Sequence, residues 1–416
     1  MSRRSKKYTV SVNTPATGLI NCGTLIVREL NGNTDGIGFQ YSPEYLSHQS
    51  AFSIDPIAIP LTHVPFQLTV NNHAPGFLDD YLPDRWGRKV LSRIATINMK
   101  KDFNANSIID ILSLVSKSNI GAISIDPIDE SASFDLGLSF DELFEAETAA
   151  KIIDDDTQSE RIRLEAAKLI HLWQEGSGGV GGARPKSLIC KEGKGYLAKF
   201  NSGKDNYNNA RVEFACLLMA KEAGIDVRGG FVQPDVNGRD TLLLTRFDLL
   251  NANKHRLHLI TINSMLKDKN TFIDFGHPFR YNHIHDVLKY YSTNIVEDLN
   301  QLLRLMLFNR AINNIDDHER NFSLVNDGMG YRLSPAYDLV PSLTHGQYHA
   351  AGYQYSPNPL KPSDIDGKSR ILGVSKTQAK RCAEQVINAV KQWEYFAKKA
   401  GVSEEDTENI SKVISL

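Results

Sequence analysis

The sequence contains few cysteines, and their arrangement excludes two common kinds of stabilisation. Cysteine occupies only positions 22, 190, 216 and 382 of the 416 residues, and no two of them form a Cys-x-x-Cys pair. This spacing fits neither a structural zinc site nor a disulfide framework. Because so few cysteines are typical of chains that fold in a reducing compartment, we expect a cytoplasmic protein.

Long apolar runs and an excess of one charge are also missing. The densest apolar stretch, Leu302 to Phe308, contains Arg304 and is far shorter than the roughly 20 residues of a membrane-spanning helix. The basic start at Arg3 to Lys7 has no apolar segment behind it, so we expect no signal peptide. With 47 Lys and Arg against 49 Asp and Glu, the chain cannot bind nucleic acid through bulk charge, although a local basic patch stays open.

What the chain does contain is four segments of different composition. Residues 1–125 alternate apolar and polar positions and then show helical spacing, which predicts a mixed α/β unit. Residues 126–160 are rich in Asp and Glu and predict an exposed acidic connection with helical pieces. Residues 161–250 predict a helix, a glycine-rich loop, a hairpin, a second helix and strands. Residues 251–416 are mainly helical, with one interruption at 313–341.

A glycine-rich segment with a strand lysine behind it is the first chemical feature. Five glycines fall within Gly176–Gly182, and such a backbone can approach and surround an anion. The segment lacks the Gly-Lys-Ser/Thr ending of a Walker A loop. A hairpin with its turn at Gly193 or Gly195 is predicted next, and its second strand carries Lys199. This order is typical of a protein-kinase N-lobe, whereas a flexible linker and a surface lysine are the alternatives.

A lysine in that role needs a carboxylate to orient it. A helix is predicted from about 208 to 223, and Glu213 falls within its apolar stripe. An unpaired carboxylate there would be costly, so one interpretation pairs Glu213 with Lys199, and the other places Glu213 in water at the edge of the stripe. A predicted strand at Thr241–Leu244 then leads into Thr245–Asp248, a candidate hinge between lobes.

The sharpest pattern lies in the interruption of the helical region. Asn321 follows Asp316 by five residues, and Asp338 follows Asn321 by 17 residues, beyond a predicted hairpin. Kinases space the catalytic Asp and metal-binding Asn of the catalytic loop in the same way. A carboxylate beside an acceptor hydroxyl can take its proton, and amide and carboxylate oxygens suit Mg²⁺. The alternatives are an acidic surface turn and, at weaker spacing, a metallohydrolase using His318 or His283–His285.

Together these residues resemble the HipA family of bacterial serine/threonine kinases, the toxins of HipA/HipB-type toxin–antitoxin systems. The resemblance lies in four blocks, which are Leu82-Pro-Asp-Arg-Trp-Gly-Arg-Lys89, Val180-Gly-Gly-Ala-Arg-Pro-Lys186, Asn314-Ile-Asp-Asp-His-Glu-Arg-Asn-Phe-Ser323 and Tyr331-Arg-Leu-Ser-Pro-Ala-Tyr-Asp338. It implies an α+β, two-lobed, protein-kinase-like fold with a mixed α/β N-terminal lobe and a mainly α-helical C-terminal lobe. ATP would lie between the lobes.

The resemblance also implies roles for individual residues. Asp316 would be the catalytic base, and Asn321 and Asp338 would hold Mg²⁺. Lys199 would contact the phosphates, with Glu213 as its partner. The other residues implied at the ATP site are Val180, Gly181, Gly182, Ala183, Arg184, Pro185 and Lys186 over the phosphates, Thr245, Arg246 and Phe247 at the adenine, Asp248 at the ribose, and His318, Glu319, Arg320 and Tyr337 in the lining.

One position departs from the family pattern. The best-known members carry a serine just before the glycine-rich segment that autophosphorylates and shuts the enzyme off, and this sequence has Gly179 there. Self-inactivation is therefore either absent or moved to Ser177 or Ser187.

The leading hypothesis is an ATP- and Mg²⁺-dependent protein serine/threonine kinase. The family implies a toxin that phosphorylates a translation component such as an aminoacyl-tRNA synthetase. It also implies a HipB-like helix-turn-helix antitoxin as partner, contact with DNA only through that antitoxin, and no membrane. Two alternatives stay open. One is a kinase-like corepressor with little catalysis, motivated by the basic groups at Arg3–Lys7 and Lys376–Arg381, and the other is a small-molecule phosphotransferase.

Overall fold

The computed structural model describes most of the chain. The described residues are 2–97, 103–115, 119–154, 185–203, 205–270, 273 and 276–416. Ser177 and the predicted phosphate-covering residues Val180 to Arg184 lie outside these ranges. Within the described ranges, no helix combines the length and the apolar character needed to cross a bilayer.

Antiparallel strands near the N-terminus form the first sheet. Their bounds are Arg3–Thr14 (β1), Gly18–Leu30 (β2), Asn33–Tyr41 (β3), Phe66–Thr69 (β4) and Ile123–Pro127 (β5). The order in the sheet is β4-β3-β2-β1-β5. Asn31 and Gly32 join β2 to β3 with φ of 53° and 79°, the positive values that a tight two-residue hairpin requires. The strands predicted from alternating apolar residues around Tyr8 and Leu25 are thereby confirmed.

Short helices cover this sheet and complete the first hydrophobic core. They are Pro43–Ser47 (α1), Gly76–Tyr81 (α2), Arg85–Ile97 (α3) and Ile108–Leu112 (α4). The helical spacing after Pro83 is confirmed by α3. Asp55 is fully buried and accepts the N–H groups of Ala58 and Phe77 at 2.9 and 3.1 Å. It therefore ties the irregular stretch after it to the start of α2.

A second sheet follows, with one helix on each face. Its strands are Leu138–Ser139 (β6), Lys186–Lys191 (β7), Lys194–Phe200 (β8), Gly230–Val236 (β9) and Arg239–Thr245 (β10), in the order β6-β7-β8-β10-β9. The flanking helices are Leu143–Asp154 (α5) and Asn209–Glu222 (α6). The predicted hairpin and the predicted helix at 208–223 are both confirmed, and Glu192 and Gly193 form the turn with φ of 51° and 72°.

Strand alternation decides which side chains of this sheet face α6. On β10, Leu242 and Leu244 belong to the core that contains α6, whereas Leu243 belongs to the first core. Lys199 on β8 lies opposite Leu242 in the ladder and therefore on the α6 side. On β7, Lys186 lies opposite Lys199 and shares that side.

The predicted exposed acidic connection is corrected by α5. The helical piece is present, but Leu143, Ala146 and Ala149 are fully buried. Glu147 is 1% exposed, and its carboxylate accepts from Asn237 Nδ2 at 2.9 Å. The acidic composition conceals an apolar stripe at helical spacing, so the average charge of this segment is a poor guide to its burial.

Helices and short strands make up the remainder of the described chain. In chain order they are Leu249–Leu250 (β11), His255–Arg256 (β12), His258–Thr261 (β13), Ile262–Met265 (α7), Tyr281–Tyr291 (α8), Ile295–Ala311 (α9), Ser323–Asn326 (β14), Tyr331–Leu333 (β15), Arg370–Ile371 (β16), Val374–Ser375 (β17), Lys376–Val390 (α10), Trp393–Ala400 (α11) and Glu404–Ser411 (α12). The apolar helix predicted around Leu302–Phe308 is α9, and it lies at the centre of the second core. The hairpin predicted before Asp338 is β14 and β15.

One buried histidine connects β13 to the N-terminal unit. His258 on β13 is 1% exposed, and its Nε2–H donates to the carbonyl of Ile54 at 2.9 Å. Its ring lies beside Phe52 and Tyr331, with centroids 5.5 and 6.1 Å away. Burial lowers the pKa of His258 to about 4 because the charged ring would lose its hydration.

This histidine predicts a specific acid sensitivity. Between pH 6.5 and 4 the unfolded chain binds a proton at His258 that the folded chain excludes, so stability falls as pH falls through this window. His258→Gln keeps a donor for Ile54 and does not titrate. We expect its unfolding free energy to decline less between these pH values, by up to about 3 kcal/mol. Urea unfolding at pH 7 and pH 4.5 measures the difference, with the exposed His63→Gln as control. Equal declines in wild type and His258→Gln would contradict the prediction.

Candidate active site

The predicted site residues meet between the second sheet and the helical part of the chain. Lys199 on β8 places its Nζ 2.6 Å from Oε1 of Glu213 on α6. The same Nζ lies 2.7 Å from Oδ1 of Asp338, which follows β15. The pairing of Lys199 with Glu213 that the sequence predicts is therefore confirmed. It accounts for a carboxylate that is only 4% exposed in the middle of α6.

The ion pairs fix the charges of this group. Burial works against the protonated form of Lys199, but the carboxylates of Asp338 and Glu213 outweigh it and raise the lysine pKa. In turn, the ammonium group of Lys199 lowers the pKa of Asp338 to about 2. Both side chains are consequently ionised at neutral pH.

A second lysine stands beside the first. Lys186 lies opposite Lys199 in the β7–β8 ladder and is 6% exposed. Its Nζ is 3.6 Å from Oδ2 of Asp84, the residue immediately before α3. Burial lowers the pKa of Lys186, and Asp84 and Asp338 oppose this shift. Two cations from neighbouring strands next to one carboxylate form a setting suited to a polyphosphate with a metal ion. The sequence predicted Lys186 but gave no role to Asp84.

The predicted catalytic loop is closed by a contact between its two ends. Asn321 Nδ2 donates to the carbonyl oxygen of Asp316 at 2.7 Å. Because a carbonyl can only accept, this contact fixes the orientation of the amide, so Oδ1 is the atom of this side chain that could ligate a metal ion. The side chain of Asp316 is 84% exposed, and His318 Nε2 lies 4.0 Å from its Oδ1. The loop ends in a 3₁₀ turn, Glu319–Asn321, where His318 Nδ1 accepts the N–H of Arg320 at 3.2 Å.

A buried aspartate that the sequence did not single out anchors this loop. Asp317 is 1% exposed and accepts from the hydroxyl of Tyr281 at 2.8 Å and from the backbone N–H of Ala351 at 3.0 Å. Nδ1 of the buried His349 lies 3.2 Å from the same carboxylate. The carboxylate is thus surrounded by donors from two separate segments, α8 and the stretch 349–351, which holds the neighbouring Asp316 in place.

The same network continues to Asp338. The hydroxyl of Tyr281 accepts from Asn309 Nδ2 at 3.0 Å, and Asn309 Oδ1 accepts from Asn314 Nδ2 at 3.1 Å. Asn314 Nδ2 also lies 3.2 Å from the backbone carbonyl of Asp338. Asp338 has φ of 59°, a conformation that costs a non-glycine residue free energy unless its surroundings enforce it. The two loops are therefore positioned together.

Two aromatic rings lie beside the predicted catalytic loop. Phe247 and Tyr337 stack with their centroids 6.1 Å apart and their planes at 20°. The hydroxyl of Tyr337 donates to the backbone carbonyl of Arg320 at 3.0 Å and shares a hydrogen bond of 2.6 Å with Ser323 Oγ. Thr245 is exposed at the end of β10. These residues therefore connect the hinge to the catalytic loop.

Two predicted hinge residues have a structural role instead. Arg246 and Asp248 are 5% and 1% exposed and bind each other through two hydrogen bonds of 3.0 and 2.7 Å. The N–H of Gly121 donates to the same carboxylate at 2.8 Å. Asp248 thus holds the hinge to the first unit, and the predicted ribose contact is corrected. An Arg-x-Asp spacing on an extended segment puts both side chains on one side, which is a signal for such a pair.

The remaining predictions concern a metal and a phosphoacceptor. Among the described residues, no group of three or more His, Cys, Asp or Glu side chains could hold a metal ion. The donor set of Asn321 and Asp338 fits Mg²⁺ all the same, because this ion usually takes few protein ligands and completes its shell with phosphate and water. Ser187, one of the two serines that the sequence offers for autophosphorylation, is fully buried on β7.

The buried network predicts a loss of stability in Tyr281→Phe. Removing this hydroxyl leaves Asn309 Nδ2 without its acceptor and Asp317 without one donor in a buried place, which costs about 1–3 kcal/mol. We expect a lower midpoint in thermal unfolding. Tyr290→Phe, where the ring is 82% exposed, is the matched control and should unfold like the wild type. The same midpoint for Tyr281→Phe and wild type would show that the network does not stabilise the loop.

Comparisons with known proteins identify the family of the chain. A family profile described as "HipA-like C-terminal domain" matches residues 178–394, more than half of the chain, and one described as "HipA N-terminal domain" matches residues 20–126. The curated protein "Putative kinase Y4mE" of Sinorhizobium fredii is 25% identical over 213 residues, which cover 50% of this chain and 43% of that protein. The chain thus matches less than half the length of that relative.

A solved structure shows the same fold over nearly the whole chain. The structure of the toxin–antitoxin system of Shewanella oneidensis MR-1, with HipA, HipB and operator DNA, has a chain that matches with a TM-score of 0.65 and 18% identity. The match covers 98% of this chain and 94% of that one. The protein therefore belongs to the HipA family and has its α+β, two-lobed, protein-kinase-like fold.

Proposed function

We propose that this protein is an ATP- and Mg²⁺-dependent protein serine/threonine kinase. The observation that carries the proposal is the contact of Lys199 with both Glu213 and Asp338 at 2.6 and 2.7 Å. A strand lysine, a helix carboxylate and a metal-ligating carboxylate are the parts that kinases bring together around the nucleotide phosphates.

The phosphates of ATP would lie against Lys199 and Lys186. Both lysines are on the α6 side of the second sheet, and the negative charge of Asp338 favours the protonated form of each. Mg²⁺ would be held by Asn321 and Asp338, and when bound it supplies positive charge that neutralises the phosphates. Phe247 and Tyr337 would lie at the adenine end of the cleft.

Asp316 would act on the acceptor hydroxyl. Its carboxylate is 84% exposed, so a substrate side chain can reach it, and Asp317 and Asn321 hold its backbone from either side. As the hydroxyl oxygen bonds to the γ-phosphorus, the bond from that phosphorus to ADP breaks, and the hydroxyl proton passes to Asp316.

The Shewanella oneidensis complex, which contains HipB and operator DNA, supports the first of two further proposals, and the resemblance to the family motivates the second. We propose a HipB-like antitoxin as the partner, through which the protein would reach DNA, and a translation component such as an aminoacyl-tRNA synthetase as the substrate. We also propose that the protein works in the cytoplasm. Ser177 remains the proposed site of any autophosphorylation.

The kinase proposal predicts a separation of catalysis from nucleotide binding. Asp316→Asn should reduce transfer of labelled phosphate from ATP by about 10²–10⁴-fold, because the proton acceptor is removed. ATP binding measured by calorimetry should persist, since Lys199 and Asp338 are intact. Asp366→Asn changes an aspartate that is 81% exposed elsewhere and should behave like wild type. Undiminished transfer by Asp316→Asn would refute the assignment, and absence of ATP binding by wild type would favour the corepressor.

The substrate proposal has its own measurement. We expect phosphoproteomics of cells that express wild type to show one strongly enriched serine or threonine site in a translation component, and cells that express Asp316→Asn to lack it. Enrichment confined to proteins outside translation would contradict the proposed substrate while leaving the kinase activity standing.

A further inference from the structure

A surface cleft lies beside the proposed catalytic loop, and the proposed function gives it no role so far. Its volume is about 350 Å³. Its polar lining comes from distant parts of the chain, namely Asn72, His73, Asp79, Arg88, Asn106, Lys267 and Arg320. Two of the lining elements are α2 and α3, and α3 contains the second half of the Leu82–Lys89 block. The third is the proposed catalytic loop.

The lining of this cleft is cationic. The lining carries three cations, Arg88, Lys267 and Arg320, and one carboxylate, Asp79. Its net charge is therefore about +2. Asp79 Oδ2 lies 2.7 Å from Lys267 Nζ and 3.0 Å from a terminal nitrogen of Arg320. Burial raises the pKa of Asp79, but the two cations outweigh it and lower the pKa, so this carboxylate is ionised and the count holds at neutral pH.

Two of the three cations, Arg88 and Lys267, donate to backbone carbonyls, which carry no net charge. Arg88 donates to the carbonyls of Pro83 and Ala105 at 3.1 and 2.6 Å. Lys267 donates to the carbonyl of Ala74 at 3.2 Å as well as to Asp79. Carbonyl acceptors fix a cation without cancelling its charge, so the cleft is preorganised for an anion.

Arg320 connects the cleft to the site of phosphoryl transfer. Its side chain lies in the cleft with Asp79, while its backbone carbonyl accepts from Tyr337 on the nucleotide side. The next residue, Asn321, contacts the backbone of Asp316. An extended segment advances about 3.3–3.6 Å per residue, so a residue within about four positions of a hydroxyl at Asp316 can reach this cleft.

We propose that this cleft binds an acidic side chain of the protein substrate, within about four residues of the phosphorylated hydroxyl. The proposal rests on the proposed kinase function and assigns a specificity to it. The chain as a whole has a net charge of -2, so bulk charge does not attract an acidic segment and any preference for one has to arise locally. In the proposed function, the nucleotide phosphates bind Lys199 and Lys186 and not this cleft.

The test compares two peptides on the full chain. Each carries a central serine in a neutral background, one has Glu at a scanned flanking position, and its twin has Gln there. Binding is measured by fluorescence anisotropy, and phosphate transfer from labelled ATP is measured on the same peptides.

The variant that tests the rim of the cleft is Asn72→Asp with Asn106→Asp, since both side chains are exposed and keep their size. Asn72 has φ of 59°, which Asp tolerates as Asn does. Asn388→Asp with Asn409→Asp, on α10 and α12, is the matched control.

We expect wild type to bind the Glu peptide about tenfold more tightly than its twin at one or more positions, as one charge-assisted hydrogen bond would give. The preference should disappear in the rim variant, persist in the control and weaken with salt. Equal binding of the twins, or a preference that the rim variant keeps, would overturn the proposal. If phosphate is transferred to both twin peptides without preference, the proposed role of the cleft is overturned and the kinase proposal is retained. A Glu preference in binding without any transfer supports the cleft and counts against the kinase.

Discussion

The arrangement of the active site depends on one lysine that binds two carboxylates. Lys199 reaches from the second sheet to Glu213 on α6 and to Asp338 behind the β14–β15 hairpin. A buried carboxylate on α6 would be unfavourable without this cation, and the cation would be unfavourable without its partners. The position of α6 on the sheet and the position of the Asp338 loop are thus coupled through a single ammonium group.

Around this centre, a network of buried hydrogen bonds links the two loops. Asp317, Tyr281, Asn309 and Asn314 link the loop that carries Asp316 to the backbone of Asp338. Each of these groups is buried, so each partner is needed to avoid an unsatisfied polar atom. A network of this kind allows few alternative arrangements, and it is suited to holding the proposed catalytic loop at a fixed distance from Asp338, the proposed metal ligand.

The N-terminal unit contributes to the same region. Asp84 lies 3.6 Å from Lys186 on β7, and Asp79 binds Arg320 of the catalytic loop at 3.0 Å. Asp248 on the hinge accepts from the backbone of the first unit in the same way. Residues of the first unit thus contact two cations of the candidate site, Lys186 and Arg320. This gives the family's N-terminal domain a physical connection to the kinase-like part of the chain.

The local elements and the spacing of Asp316, Asn321 and Asp338 follow from the sequence, because strand alternation, helical periodicity and turn residues act over a few positions. The partner of Glu213 could be inferred, since a carboxylate in an apolar stripe needs a nearby cation. The roles of Asp84 and Asp79 could not, because each binds a group more than 100 residues away in the sequence. Asp248 has its partner Arg246 two residues before it, but its contact with Gly121 could not be foreseen, and neither could the burial of α5. The sequence alone determines which charges exist, and tertiary packing decides which of them meet, because the free energy of burial depends on the partner and not on the residue type.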